Sequence, residues 1–499
     1  MARSNSRSLT SFAGLAEGVP WGWVTLSAVL CVGAWRDAVL LTQYPIAVGV
    51  DGYYYVLQAE TLWAQHHLFF PSGHPLMFYV LAGVRYVTGD SVTAVKVVAV
   101  SLHLALCGGV FALVRAVTRS LWLGVLGSAL ATASSLHLYF VVEFINNLGA
   151  VALLTWGSWA AVRFSQTRRR LYGFAAFICV TAAALSHRSA LPIALILAVL
   201  VFLSRGLGQG VRFARKGRLV ILLIVASWLI PAVSGAVWFH RLPAWLQLEI
   251  STVPRWPWGR HSAAEAVILL LAAPATLVLL SRCASERRRL CWCAVGVIAF
   301  LTLTFTLNPF IKSAEVWGGT AERLRGLSYV QAAILVPCVI RMLRPERHKV
   351  VPYLLALLLP LIVLSNRAPL PPGLEPEYMR HRTQMIGHLR ELSAQFAPST
   401  FVVAPHGDQF VVTATTGIPS QQRMPSQTEG RTVYWLVRRL RCDESMLAAL
   451  VLTEDGGRLC TMLIEDGELR RKSKLLSNLD KQSILAANPH VREVPGLIY

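Results

Sequence analysis

The sequence predicts an α-helical polytopic membrane protein, with about eleven transmembrane helices followed by a C-terminal extracytoplasmic α/β domain. Of the 499 residues, 55% are hydrophobic and only 15% are charged, whereas soluble domains carry about 25% charged residues. The charged residues are sparse up to about Arg367 and frequent beyond it. Long apolar runs separated by arginine clusters fill the first part. These observations predict that the first three quarters of the chain cross a bilayer and that the last quarter is a water-soluble domain.

The apolar runs are close to the roughly 20 residues that a helix needs to cross a bilayer. The first run follows a basic, Ser-rich N-terminus without a clear cleavage site, so we interpret it as a retained helix rather than a signal peptide. The predicted spans are 20–41, 91–114, 120–141, 146–164, 171–187, 189–204, 219–239, 263–281, 290–307, 326–342 and 350–366.

Basic residues accumulate at every second junction between these runs, as the positive-inside rule requires of cytoplasmic loops. The alternation predicts a cytoplasmic N-terminus and, with an odd number of spans, a periplasmic or extracellular C-terminal domain of an inner (plasma) membrane protein. The same clusters account for the net charge of +21, which in a soluble protein would suggest nucleic-acid binding. We therefore expect a membrane lipid environment and no nucleic-acid partner.

The predicted domains are a transmembrane domain, 1–366, with a long outer loop at 42–90, and an extracytoplasmic domain, 367–499. The segment PLPPG at 369–373 is typical of a linker.

The outer loop 42–90 combines two helical patterns. An amphipathic helix is predicted over roughly 52–66, with Tyr55, Leu57, Ala59 and Leu62 on its apolar face. The segment PSGHP at 71–75 ends it. The apolar piece 76–87 is too short to span, so it is expected either to lie along the interface or to dip into the fold.

The C-terminal domain mixes helical and strand-like patterns, which predicts a small α/β fold. A helix is predicted at 380–396, and strands are predicted at 401–404, 410–412 and 432–437, with further mixed pattern at 444–453 and 459–464. His406-Gly407-Asp408 is interpreted as a loop after a strand, without a recognisable catalytic motif. Cys442 and Cys460 are the two cysteines of this domain, and a disulfide between them is expected in an oxidising compartment.

Two acidic residues in outer segments are candidates for chemistry. Asp51 stands directly after the first span among aromatic residues, where a carboxylate can act as a general base on a hydroxyl or amine. The alternative is a helix N-cap, which is a purely structural role. Glu143 lies in a short outer turn at membrane depth, where acids usually have a function, although a cap or a solvated turn would also explain it.

The positive-inside rule disfavours basic residues in the predicted outer segments, so those that occur there require an explanation. They are Arg188, with His187 before it, together with Lys312, Arg323 and Arg325. Neutralisation of a phosphate or pyrophosphate is one explanation. Interfacial snorkelling of long side chains is the other.

Three short segments carry a family resemblance: DGYYYVLQA at 51–59, HPLMFY at 74–79 and TGDS at 88–91. Their order after the first span resembles the GT-C glycosyltransferases, in particular the bacterial branch of the protein O-mannosyltransferases and aminoarabinose transferases. Two positions depart from that pattern. His74 replaces the first residue of a Pro-Pro pair, and Gly52 replaces a frequent second acid, which weakens a metal role that needs adjacent carboxylates.

The resemblance implies transfer of a sugar from a polyprenyl-phosphate donor to a lipid, glycan or protein acceptor in the cell envelope. Asp51 would be the general base, and Arg188, Lys312, Arg323 and Arg325 would receive the departing phosphate. Glu143, Tyr54, His74 and His187 would orient the acceptor or the base. These residues do not establish a cofactor, and dependence on a divalent metal is left as an open alternative.

Two other functions are compatible with a polytopic chain. A transporter or flippase of a lipid-linked or anionic substrate would place ionisable groups near the midplane and often shows inverted repeats. An assembly protein would bind a cell-wall partner through its outer domain.

Overall fold

The computed structural model describes residues 21–187, 190, 263–282, 295–308, 326–343, 370–394, 396–404, 406–421, 432–439, 450–453 and 460–465. The chain divides into two compact units. The first comprises 1–43, 72–80 and 96–370, and the second comprises 44–71, 81–95 and 371–499. The boundaries predicted for the two domains stay a prediction.

Helices account for most of the described residues before position 370. They are α1 (Trp21–Thr42), α2 (Gly52–Gln65), α3 (Leu76–Thr88), α4 (Ser91–Thr118), α5 (Leu121–Ala133), α6 (His137–Val142), α7 (Ile145–Thr167), α8 (Arg170–Ser186), α9 (Ala263–Arg282) and α10 (Ser328–Leu343). Residues 295–301 are also helical and continue into a π-helical turn, Thr302–Thr306.

Apart from 120–141 and a few terminal residues, the described parts of the predicted spans lie in helices. The spans 219–239 and 350–366, and 189–204 apart from residue 190, lie outside the described residues. The helix predicted at 52–66 is confirmed as α2. The apolar piece 76–87 forms the helix α3, and its placement at the interface or within the fold stays a prediction. The number of spans and the orientation in the membrane stay predictions.

The third predicted span, 120–141, is not one helix but two, α5 and α6. The break lies at Ser134, whose backbone is extended. The Ser134 hydroxyl accepts a hydrogen bond from the Leu136 amide and donates one to Glu265. A serine that bonds nearby backbone competes with the helical ladder, and hydropathy alone does not register this.

Two described helices, α1 and α4, are long and apolar enough to cross a membrane by length and composition. Several shorter apolar helices accompany them, including α5, α8 and α10. Several large apolar side chains of α8 are exposed, with Leu171 at 73%. Apolar surface of this kind is unfavourable in water and favourable in lipid.

The first unit is built from closely packed helices. α1 packs on α5, α7 on α8, and α10 on both α5 and α9. Gly33 permits the approach of α1 to α5, because a Cβ there would lie 2.5 Å from the Cγ2 atom of Thr132. This contact brings the polar residues near the end of α1 against the C-terminal turn of α5.

The second unit contains α2 together with elements from the C-terminal part of the chain. These are a 3-10 turn (Pro372–Leu374), α11 (Pro376–Ser393), β1 (Thr400–Val403), α12 (Asp408–Thr416), β2 (Ser420–Gln421), β3 (Thr432–Arg439), β4 (Leu450–Thr453) and β5 (Cys460–Glu465). The strands form one mixed sheet in the order β2-β1-β3-β5-β4. β1 is parallel to β2 and β3, whereas β5 is antiparallel to β3 and β4.

The helix and the first and third strands predicted for this region are confirmed as α11, β1 and β3. The strand predicted at 410–412 is wrong, because these residues lie in the helix α12. A short apolar run cannot distinguish a strand from a buried helix. Glycines decide the matter, since Gly407 precedes α12 and Gly417 ends it in the left-handed conformation. α12 packs on α2 and α11, and this contact builds the site below.

Candidate active site

Asp51 occupies the N-cap position of α2, but its side chain makes no capping hydrogen bond. Asp51 therefore stands where a helix N-cap stands, but its carboxylate does not have the capping role. Asp90 provides a contrast, because it precedes α4 and its Oδ2 atom accepts a hydrogen bond of 2.6 Å from the Thr93 amide. The Asp51 carboxylate is directed to another partner.

That partner is His406, in the turn between β1 and α12. The Nε2 atom of His406 lies 2.9 Å from the Oδ1 atom of Asp51. The His406 side chain is 57% exposed and that of Asp51 is 26% exposed, so solvent reaches both members of the pair. A carboxylate and an imidazole at hydrogen-bond distance form a unit that can move protons.

Arg382 of α11 binds the backbone that directly precedes Asp51. The two terminal nitrogens of Arg382 donate to the carbonyl oxygens of Gly49 and Val50. Arg382 is fully buried, and its guanidinium lies over the ring of Tyr378, 4.9 Å from the centroid. The Gly49 amide in turn donates to the carbonyl of Gly373 over 3.0 Å. These contacts leave the turn at 49–51 little freedom.

Gly407 fixes the approach of His406 to Asp51. Its φ is +86°, and a Cβ atom there would lie 2.8 Å from the carbonyl oxygen of Val50. Any other residue would strain the backbone and would collide with the peptide that precedes Asp51. Gly407 therefore allows the two chain segments to meet.

Aromatic rings form one side of the site. The ring of Tyr54 lies 5.2 Å from that of Phe410 and 5.9 Å from that of Phe70, and the His406 ring meets Phe410 edge-on. Gln58, fully buried, donates to the Tyr54 hydroxyl and exchanges two hydrogen bonds with the backbone of Phe70. Burial raises the pKa of Tyr54, the hydrogen bond from Gln58 partly offsets this rise, and the nearby charge of Asp51 adds to it. Tyr54 therefore presents a neutral phenol.

The remaining predicted site residues fall into two groups. Arg188, Lys312, Arg323, Arg325 and Cys442 lie outside the described residues, while Cys460 is in β5. The roles assigned to the four basic residues, and the disulfide, therefore stay predictions.

Glu143, His74 and His187 belong to the first unit. Glu143 is buried at the C-terminal end of α6. The His74 Nδ1 atom lies 2.8 Å from the carbonyl oxygen of Ala184, in the last turn of α8, which His187 caps. The structure thus brings two of the predicted histidine positions to the same end of one helix.

Sequence reasoning missed His406 and Arg382. The sequence pattern places His406 in a loop and Arg382 within the helix predicted at 380–396, without a distinct role for either. The one signal in the sequence is the position of His406 in a loop after a predicted strand, because binding and catalytic residues are disproportionately found on loops. Nothing in the local sequence indicates that Arg382 is buried.

A second cluster lies in the first unit around Asp37, which is fully buried. His103 Nδ1 lies 2.5 Å from Asp37 Oδ2, and His137 Nε2 lies 3.0 Å from Oδ1. The two imidazole rings are stacked, with centroids 4.3 Å apart. Arg36 donates to Asp37 and to the carbonyl of Thr132.

Among the described residues, Asp37, His103 and His137 are the set of three metal-ligating side chains close enough to share an ion. The fit to a metal is poor. A terminal nitrogen of Arg36 lies 2.6 Å from the His137 Nε2 atom and 3.0 Å from the Asp37 Oδ1 atom. A guanidinium already holds the positive charge that an ion would supply. We therefore derive no step through a metal at this cluster.

Comparison with known proteins yields little. No family model matches the chain, and no curated protein matches it. A solved structure, the apo form of the oligosaccharyltransferase from Archaeoglobus fulgidus, aligns with 81% of this chain at 13% identity and a TM-score of 0.49. The alignment spans 65% of that protein's length. Similarity at this level does not establish a common fold, and the family resemblance carried by the motifs at 51–59, 74–79 and 88–91 stays a prediction.

Proposed function

We propose that the chain is a membrane glycosyltransferase that moves a sugar from a polyprenyl-phosphate donor to an acceptor at the outer face of the membrane. Asp51 supplies the basic carboxylate of the transfer. As the acceptor oxygen or nitrogen bonds to the anomeric carbon, its proton passes to the enzyme. The bond from that carbon to the phosphate oxygen breaks, and the polyprenyl phosphate leaves with the electron pair.

The observation that carries the proposal is the state of the Asp51 carboxylate. It stands at a helix N-cap without capping the helix, it is partly exposed, and it meets an imidazole. A carboxylate that served only the fold would be expected to bond the free amides of the first turn, as Asp90 does. The aromatic side formed by Tyr54 and Phe410 suits the apolar face of a sugar ring.

The donor phosphate requires cations on the same side of the membrane. Arg188, Lys312, Arg323 and Arg325 are proposed for that role because their positive charges are otherwise disfavoured in outer segments. Glu143, His74 and His187 are proposed to orient the acceptor. A lipid, glycan or protein acceptor is compatible with these groups.

A transfer assay tests the proposal. Purified protein would be incubated with labelled polyprenyl-phosphate sugars and envelope lipids or glycans, and wild type would be compared with Asp51→Asn. We expect transfer by the wild type and a loss of at least about 100-fold in the variant. Asp90→Asn is the matched control, since it alters an aspartate that caps a helix. Undiminished transfer by a correctly inserted Asp51→Asn protein would refute the assigned base.

Transport is the second candidate function, and one observation favours it. Ionisable residues within membrane helices commonly mark substrate or proton pathways, and the Asp37 cluster is of this kind. Substrate flux into vesicles, lost in Asp37→Asn while no donor supports turnover, would establish transport instead.

A further inference from the structure

We infer that the proton of the acceptor is taken by the imidazole of His406, and that Asp51 acts by orienting this ring. The inference rests on the proposed function and refines the identity of its base. It adds a catalytic residue from the C-terminal part of the chain, which sequence reasoning had assigned to a loop.

The His406 Nε2 atom lies at ion-pair distance, 2.9 Å, from Asp51 Oδ1. An ionised carboxylate has no proton to share and only accepts hydrogen bonds, so we assign the proton of His406 to Nε2, the nitrogen that faces the carboxylate. In the neutral ring the basic lone pair is then on Nδ1. This tautomer is assigned from the contact, as is usual for histidine.

The arrangement is that of a general base whose orientation is fixed by a neighbouring carboxylate. A carboxylate holds one imidazole nitrogen, and the other nitrogen is the atom that exchanges the proton of the nucleophile. With 57% of its side chain exposed, against 26% for Asp51, His406 is the more accessible member of the pair. Imidazole is also the group whose ordinary basicity suits proton transfer near neutral pH.

The surroundings keep the ring in place. Gly407 brings the turn onto Val50, Phe410 lies edge-on to the imidazole, and Arg382 holds the peptide carbonyls that precede Asp51. A base positioned by packed neighbours loses little freedom when the acceptor arrives. Arg382 and Gly407 are positioning residues in this scheme, since they act through the backbone of the pair.

The step is balanced as follows. The acceptor O–H or N–H proton moves to His406 Nδ1 while the acceptor atom bonds to the anomeric carbon. The bond between that carbon and the phosphate oxygen breaks, and its electrons stay on the polyprenyl phosphate. The resulting imidazolium is stabilised by the Asp51 carboxylate and releases its proton to solvent, which returns the pair to its first state.

The decisive experiment is a pH–rate profile of sugar transfer with wild type, His406→Gln, Asp51→Asn and, as a matched control in the same unit, His67→Gln. His67 is an exposed histidine of the outer loop that takes no part in the proposed site. We expect His406→Gln to lower kcat by about 100-fold or more, to leave KM nearly unchanged and to remove the acidic limb of the profile. His67→Gln should match the wild type.

Chemical rescue provides a second readout that a structural role would not produce. Added imidazole should restore part of the turnover of His406→Ala and none of that of Asp51→Asn. If His406→Gln fails to fold, His406→Asn and the rescue of His406→Ala replace it.

The outcomes separate the two claims. If the His406 variants retain kcat and the acidic limb while Asp51→Asn loses activity, this inference is wrong and Asp51 alone is the base. If Asp51→Asn is as active as the wild type, or no donor supports turnover by the wild type, both claims fall.

Discussion

In the described part of the chain, histidine meets aspartate in two regions whose environments are opposite. At Asp37 the carboxylate and both imidazoles are fully buried, and Arg36 supplies a neutralising charge. At Asp51 both partners reach solvent, and the nearby guanidinium of Arg382 binds backbone carbonyls. The same residue types therefore have different roles in the two regions. Where every group is buried and paired, a polar network stabilises one arrangement of helices; where a group is accessible, it can react.

The largest expected effect concerns activity at the exposed pair. Asp51→Asn should lower transfer by about 100-fold to 10⁴-fold, with little change in the unfolding temperature, because the carboxylate makes no cap to α2. Transfer assays and thermal unfolding in detergent measure the two effects. Asp90→Asn should show the reverse, a small loss of stability from the weakened cap and nearly normal transfer. A large fall in stability for Asp51→Asn would contradict the distinction between the regions.

Stability should respond most at the buried cluster. Asp37→Ala leaves Arg36 without its carboxylate partner, and removing one member of a buried ion pair costs about 3–5 kcal/mol. Replacing both residues, Arg36→Met with Asp37→Leu, should cost less, because no uncompensated charge remains. Thermal unfolding of the two variants in the same detergent measures the difference. Loss of transport or transfer by Asp37→Asn at unchanged stability would show that the cluster is functional, and the comparison would fail.

An intermediate effect is expected at the turn that carries His406. Gly407→Ala should destabilise the chain by about 1–3 kcal/mol, because the new Cβ would meet Val50 and the φ of +86° is unfavourable for alanine. The unfolding temperature and the transfer rate should both fall.

Gly417→Ala is the matched control for this change. Gly417 also has a positive φ, of +73°, but nothing lies within 4 Å of a Cβ there. Only the backbone strain of about 1–2 kcal/mol should appear, without an effect on transfer. Equal losses of activity in the two variants would indicate that the contact with Val50 does not position His406.

The smallest expected effect is a pH dependence at Tyr54. Burial, opposed in part by the hydrogen bond from Gln58 and reinforced by the charge of Asp51, raises its pKa in the folded state. The folded chain thus holds the phenol proton more tightly than the unfolded chain, and the associated stability is complete below the ordinary tyrosine pKa of about 10 and is lost as the pH rises through the folded value. Tyr54→Phe should remove this component of alkaline unfolding. Tyrosinate absorbance measures the titration, which in Asp51→Asn should shift to lower pH.

The elements of the fold were largely predictable, whereas the composition of the site was not. α2 was predictable because Tyr55, Ala59 and Leu62 recur at helical spacing. The patterns at 380–396 and 432–437 likewise predict α11 and β3. α12 was not predicted, because three apolar residues in a row match both periods, and the glycines at 407 and 417 decide between them. The break between α5 and α6 was missed because it depends on Ser134 and its contact with Glu265 in another helix.

By itself, the sequence determined where the apolar helices lie, how the loop charges alternate between them, and that Asp51 follows the first span. These properties depend on residues within a few turns of one another, or on simple sums of charge. Only the tertiary structure decided that Asp51 meets His406 instead of capping its helix, that Arg382 is buried beneath it, and that Arg36 neutralises Asp37 among two histidines. Apart from the pairing of the adjacent residues Arg36 and Asp37, these contacts join segments distant in the chain. Their formation depends on the packing of whole helices, which local periodicity does not encode.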